Sequence, residues 1–178
     1  MLTRMAGAGG IDWRAVLLFP LLLAAGLAFA QDAALEVKVG AAAARRFTQA
    51  EVAALPQTEL VETRSVGGGA KAEQAEVRYR GVLLRDLLDA AGVQSLDRYA
   101  LRHSGVAARA TDNYAVLFSW GEIYNARVGD NVLVITTMNG KPLPATEGPY
   151  ALRSLSDTKS GPRHVKWLNR IEVFTVPK

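Results

Sequence analysis

From Leu35 onward, apolar residues in this chain recur mostly at every second position, in short runs cut by glycine, proline and asparagine. A β-strand turns successive side chains to opposite faces, so this period commits the chain to short strands with one buried face, not to a bundle of helices. Leu35-Glu36-Val37-Lys38-Val39 is the first such run. Glu59 to Val66 and Gln74 to Arg80 follow, the latter with Val77 and Tyr79 on one face and Glu76, Arg78 and Arg80 on the other. With Gly67-Gly68-Gly69 between them, these two runs read as a hairpin around a glycine turn. Arg98 to His103, Tyr114 to Phe118 and Tyr150 to Leu155 are further strand candidates. Asn131 to Met138 is a β-branched run typical of a buried strand, and Asn139-Gly140 after it is a strong hairpin sequence. Lys166 to Val176 closes the chain as a last strand.

Helical periodicity is sparse. Gly81 to Gly92 places Leu84, Leu87, Leu88 and Ala91 on one stripe, with Gly92 as the residue just past the end. Thr48 with Glu51, and Ser119 with Glu122, have the spacing of capping boxes that open two shorter helices; Phe47 and Val52 add a hydrophobic staple to the first. About seven short strands with two or three short helices predict a single α+β domain built on a mixed, partly barrel-like sheet.

The first thirty residues follow another logic. Arg4 and Arg14 precede an uncharged run, Ala15 to Ala30, that ends Ala28-Phe29-Ala30. Its 16 residues are short of the ~20 needed to span a bilayer. A mildly basic start, an apolar middle and a small-x-small end are the parts of a secretory signal peptide. The expected organisation is a signal segment over 1–30 and one domain over 31–178, periplasmic or secreted, with no stable membrane span after cleavage; an uncleaved anchor is the alternative. No adjacent Arg-Arg pair precedes the apolar run, which points to the general secretory route, in which the chain travels unfolded and acquires any cofactor afterwards.

Charge narrows the partners. Of 21 Lys and Arg and 17 Asp and Glu, the segment 31–178 keeps 19 and 16, interspersed, with no basic run longer than two. Nucleic-acid recognition needs a clustered basic face, so no nucleic-acid partner is expected. The chain has no cysteine and only two histidines, His103 and His164. That excludes disulfides, thiolate-bound metals and cysteine nucleophiles, and it disfavours a protein-bound transition metal. Ser104 beside His103 makes no triad, because neighbours on a strand point to opposite faces.

One stretch concentrates groups that bind anions. Arg153, Lys159, Arg163, His164 and Lys166 fall within fourteen residues, with Gly148 before them and Gly161 among them. Guanidinium forks and backbone N–H groups on such a loop suit a small anionic or phosphate-bearing ligand; a solvated basic loop anchored by Trp167 and Leu168 is the plainer reading. Trp120, Tyr124 and Tyr150 are either surface anchors for a partner or core residues.

Gly161-Pro162-Arg163-His164-Val165-Lys166-Trp167-Leu168, running on to Ile171 and Val173, is similar to the ending of the sulfite oxidase-type molybdopterin-binding domain family. Gly81-Val82-Leu83-Leu84-Arg85-Asp86-Leu87-Leu88, Asn113-Tyr114, Met138-Asn139-Gly140-Lys141-Pro142-Leu143 and Gly148-Pro149 resemble that family's other blocks, in the same order. The resemblance covers Leu35 to Val173 and implies a mixed α+β domain with molybdopterin across loops at one side. It makes Arg163, His164 and Lys166 candidate ligands of the pterin and its phosphate, Gly161 the point of close backbone approach, and Arg153 a looser member of the set. The family's metal is held by a cysteine thiolate in the segment matching Val61 to Gly68, where this chain has none and where Ser65 is the nearest substitute.

Two functional readings follow. In one, an exported binding or accessory module keeps the fold without the metal chemistry and takes an anionic ligand or an envelope protein as its partner. In the other, a molybdopterin-dependent oxidoreductase uses non-cysteine ligation. The sequence leaves open whether the chain is an enzyme.

Overall fold

In a computed structural model of the chain, residues 33–66, 73–159 and 161–177 are described. The expected signal segment and the glycine turn at 67–69 lie outside them, as does the side chain of Ser65.

The alternation read from the sequence becomes two sheets. The first has the order β2-β1-β11-β5-β6, from β1 (Leu35–Val39), β2 (Arg45–Phe47), β5 (Ser104–Ala110), β6 (Ala115–Ser119) and β11 (Leu168–Thr175). The second runs β10-β9-β7-β4-β3, from β3 (Thr58–Val66), β4 (Glu73–Leu83), β7 (Val132–Met138), β9 (Ala151–Ser154) and β10 (His164–Val165); β8 (Lys141–Pro142) pairs with β7. Among the described strands β1 and β11 pair in parallel, and the other pairings are antiparallel. The architecture is therefore mixed α+β, as the sequence predicts; the expected partly barrel-like sheet takes the form of two sheets, and no closed barrel forms among the described strands.

The main core combines side chains of both sheets. Leu35, Val37, Val106, Phe118 and Ile171 of the first cluster with Val82, Val134 and Leu152 of the second. The helix α2 (Leu84–Ala90) adds Leu84, Leu87 and Leu88, all fully buried, which is the stripe expected from its period. A smaller apolar cluster lies on the other face of the second sheet, where Val77, Tyr79, Leu83, Leu133, Ile135 and Ala151 meet. Tyr150 belongs to the main core, and Trp120 and Tyr124 pack partly buried against it.

Both capping boxes form: Thr48 opens α1 (Gln49–Ala54) and Ser119 opens α4 (Trp120–Tyr124), each with its glutamate returning to the cap backbone. Asn139 and Gly140 have φ of 52° and 73°, which is how Asn-Gly turns a two-residue hairpin. Two expectations need correction. Gly81 to Leu83 extend β4, and α2 starts only at Leu84, because the second sheet continues through them onto β7. Arg98 to His103 is not a strand: Asp97 accepts hydrogen bonds from the backbone N–H of Tyr99 and Ala100 and caps the helix α3 (Arg98–Arg102). The strand in this region is β5, whose run of small residues, Gly105, Ala107, Ala108 and Ala110, carries little alternation to read.

Candidate functional site

The basic loop leaves the second sheet after β9 and returns through β10 into β11. Antiparallel pairing sets His164 opposite Arg153 and Val165 opposite Leu152. Val165 and Leu152 enter the main core, which places Arg153 on the smaller cluster's face.

Arg153, Arg163, His164 and Lys166 each meet a carboxylate of the same chain. Arg153, 3% exposed, donates from Nη1 to the Tyr79 hydroxyl at 2.8 Å and from Nη2 to Glu62 Oε1 at 3.1 Å. Its guanidinium stands 5.2 Å from the Tyr79 ring centre, and burial pushes that phenol's pKa up. Arg163 grips Asp157 with two prongs, its Nε donating to Oδ2 at 2.7 Å and Nη2 to Oδ1, and its Nη1 donates to Glu122 Oε1 at 3.0 Å. The same guanidinium lies 4.6 Å over the Phe118 ring. The Arg163 guanidinium, with a 2.6 Å hydrogen bond from Ser154 Oγ, holds the Asp157 carboxyl below its usual range despite partial burial. Glu147 sits between His164, at 2.7 Å from Nε2, and Lys166, at 3.4 Å from Nζ. Burial alone would raise the Glu147 pKa; its hydrogen bonds and charges from His164 and Lys166 together outweigh that and lower it.

The sequence-predicted residues do not converge on one cavity. Gly161, His164 and Lys166 share a shallow depression of about 190 Å³ with Asp112, Tyr114 and Trp167. Arg163 lines another, of about 330 Å³, with Asp157 and Lys159. Arg153 lines neither. At Gly161 a Cβ would meet nothing within 4 Å, so no packing contact of the described chain requires glycine there.

Several residues of this region escaped the sequence reading. Trp167 has φ 48°, in the left-handed region where large side chains are strained. It is held there by its backbone N–H to Glu147 O at 2.7 Å, its indole Nε1 to Ala145 O at 2.9 Å, and a tight seat over Gly148, which itself has φ 87°. Tyr114 donates its hydroxyl to Pro162 O at 2.6 Å and so ties β6 to the loop. Glu122 does two tasks: Oε2 closes the α4 capping box and Oε1 receives Arg163. The capping spacing revealed Glu122, but only as a cap.

No group of three or more metal-ligating side chains forms among the described residues. Ser104 is buried and donates to Ala100 O at 2.8 Å, while the His103 ring meets Tyr99 at a tilt of 41° with ring centres 5.1 Å apart, so this neighbouring pair forms no catalytic couple. In the segment where the resemblance puts the metal thiolate, Glu62 faces inward as the partner of Arg153.

Comparison with known proteins agrees with this architecture. The crystal structure of the sulfane dehydrogenase SoxCD from Paracoccus pantotrophus superposes with a TM-score of 0.61 at 20% identity, over 81% of this chain. The matched region spans 38% of that protein's chain. A search of the curated proteins finds no match. The family model described as "Oxidoreductase molybdopterin binding domain" matches residues 28–178. The motif blocks in order, the mixed two-sheet fold and a match over nearly the whole domain lead to one conclusion: the chain belongs to the oxidoreductase molybdopterin-binding domain family.

Proposed function

We propose that this member of the family is an exported binding or accessory module that keeps the fold and has given up molybdenum redox chemistry. The observation that carries the reading is the pairing of charge. Arg163 is bound by Asp157 and Glu122, His164 and Lys166 share Glu147, and Arg153 holds Glu62. An anionic cofactor reaching these cations would have to displace four carboxylates or sit among them, at a Coulombic cost that low-dielectric surroundings increase. With no cysteine in the chain, there is also no thiolate for a soft metal centre. The residues present therefore do not fit molybdopterin.

In this reading the loop is self-neutralised, and its role is to present a fixed surface rather than a vacant anion socket. Export rests on the Ala28-Phe29-Ala30 signature and the charge-free run before it. The test is purification of the mature protein from the envelope of an expressing bacterium that makes the cofactor. Metal analysis is expected to find no stoichiometric molybdenum, and the denatured protein to release no pterin fluorescence. N-terminal sequencing is expected to begin at Gln31. One molybdenum per chain would overturn the loss of redox chemistry, and an intact Met1 would overturn export with cleavage.

A further inference from the structure

Arg163, His164 and Lys166 of the loop are paired with carboxylates, but two arginines elsewhere are not. Arg98 and Arg102 lie four residues apart on α3, hence on one face of that helix. Neither makes an ion pair or hydrogen bond through its side chain among the described residues. Both border a cleft of about 530 Å³ whose other walls are Leu101, Trp120, Gly121 and Asn125. That volume is in the range of small-molecule sites, and no carboxylate lines it.

The acids on the adjoining elements are already engaged. Asp97 spends its side chain on the N–H groups of Tyr99 and Ala100, and Glu122 on Ser119 and Arg163. The floor is apolar and rigid: Leu101 is 6% exposed, and the Trp120 indole stacks on Tyr124 with ring centres 5.3 Å apart and planes 17° from parallel. The Trp120 Nε1–H is buried and has no acceptor among the described residues, an uncommon state for an indole donor.

We propose that this cleft between α3 and α4 binds a small organic anion, a phosphate monoester or carboxylate carried on a planar ring. The two guanidinium forks take the anion, Leu101 and the indole take the ring, and the Asn125 amide adds a polar contact. The site is separate from the basic loop: bound molybdenum would overturn the function proposed above and leave this cleft untouched.

Phenyl phosphate is the probe, titrated into the mature protein while the Trp120 indole N–H resonance, assigned with Trp120→Phe, is followed by NMR. Saturable binding is expected, tighter than for inorganic phosphate, with no binding of phenol. Both arginines are exposed, so the double variant Arg98→Ala/Arg102→Ala should melt like the parent while binding about tenfold or more weakly. Three results would overturn the assignment: no saturation, unchanged affinity in that double variant, or inorganic phosphate binding as tightly as phenyl phosphate. Loss of binding in Arg163→Ala/Lys166→Ala, with affinity unchanged in Arg98→Ala/Arg102→Ala, would place the anion on the loop and equally overturn it.

Discussion

Gly81 shows how a single side chain can be forbidden by a neighbouring strand. It sits at the irregularity where β4 meets β7, and a Cβ there would overlap the Val134 carbonyl. The clash is with backbone inside a paired sheet, so it cannot be relieved by rotating a flexible side chain. Gly81→Ala is expected to cost about 3 kcal/mol or more in denaturant unfolding. Gly161→Ala, with nothing near its Cβ, should stay within about 0.5 kcal/mol. At the same scale, the cations of the loop were legible in the sequence but their partners were not. Glu147 lies 17 positions from His164, Glu122 lies 41 from Arg163 and Glu62 lies 91 from Arg153, and spacing along the chain carries no sign of such pairings. Four of the five basic residues that make the stretch look like an anion site thus receive acids on folding; among the described residues Lys159 does not.

Among the elements, those marked by local chemistry were legible and those made by neighbours were not. The capping boxes of α1 and α4 and the Asn-Gly turn between β7 and β8 depend on contacts within a few residues, and each was read correctly. β5 depends on pairing with β6 and β11 on either side, and its alanines and glycine gave no period. α3 was misread because Tyr99 and Leu101 alternate with charged or small residues, while the Asp97 cap decided the outcome. The two caps should differ in consequence. Thr48→Ala is expected to cost about 1 kcal/mol, the usual price of a lost cap. Ser119→Ala should cost more, because Ser119 orients the glutamate that receives Arg163. Paired thermal melts of the two variants check the order.

For the whole molecule, the loop network sets the response to acid. Glu147, Asp157 and Glu122 all have pKa values lowered in the folded protein; for Asp157 the leading cause is Arg163, and for the two glutamates their hydrogen bonds and ion pairs outweigh burial. A carboxylate with a lowered folded pKa contributes stability that is complete above its ordinary value and is lost as pH falls through the lowered one. The melting temperature should therefore hold level from neutrality down to about pH 5 and fall steeply below about pH 4. Asp157→Asn should lower stability at neutral pH by about 2 kcal/mol, the worth of charge-assisted hydrogen bonds, and flatten that acid limb. An acid limb as steep in the variant as in the parent would contradict this account of the network.

The parallel pairing of β1 with β11 bears on the order in which the protein can fold. β11 lies between β1 and β5, and it registers Glu36 against Arg170 and Val39 against Val173. The centre strand of the first sheet is thus made after the other described strands of both sheets, and β1 has no partner on that side until Leu168–Thr175 exist. Closing so long a loop makes early nucleation of this sheet slow. A chain ending at Trp167 should remain unfolded by circular dichroism even though most of its core residues are present. During synthesis the same delay leaves the first sheet divided, with β2-β1 and β5-β6 as two separate strand pairs that only the arrival of β11 between them can join.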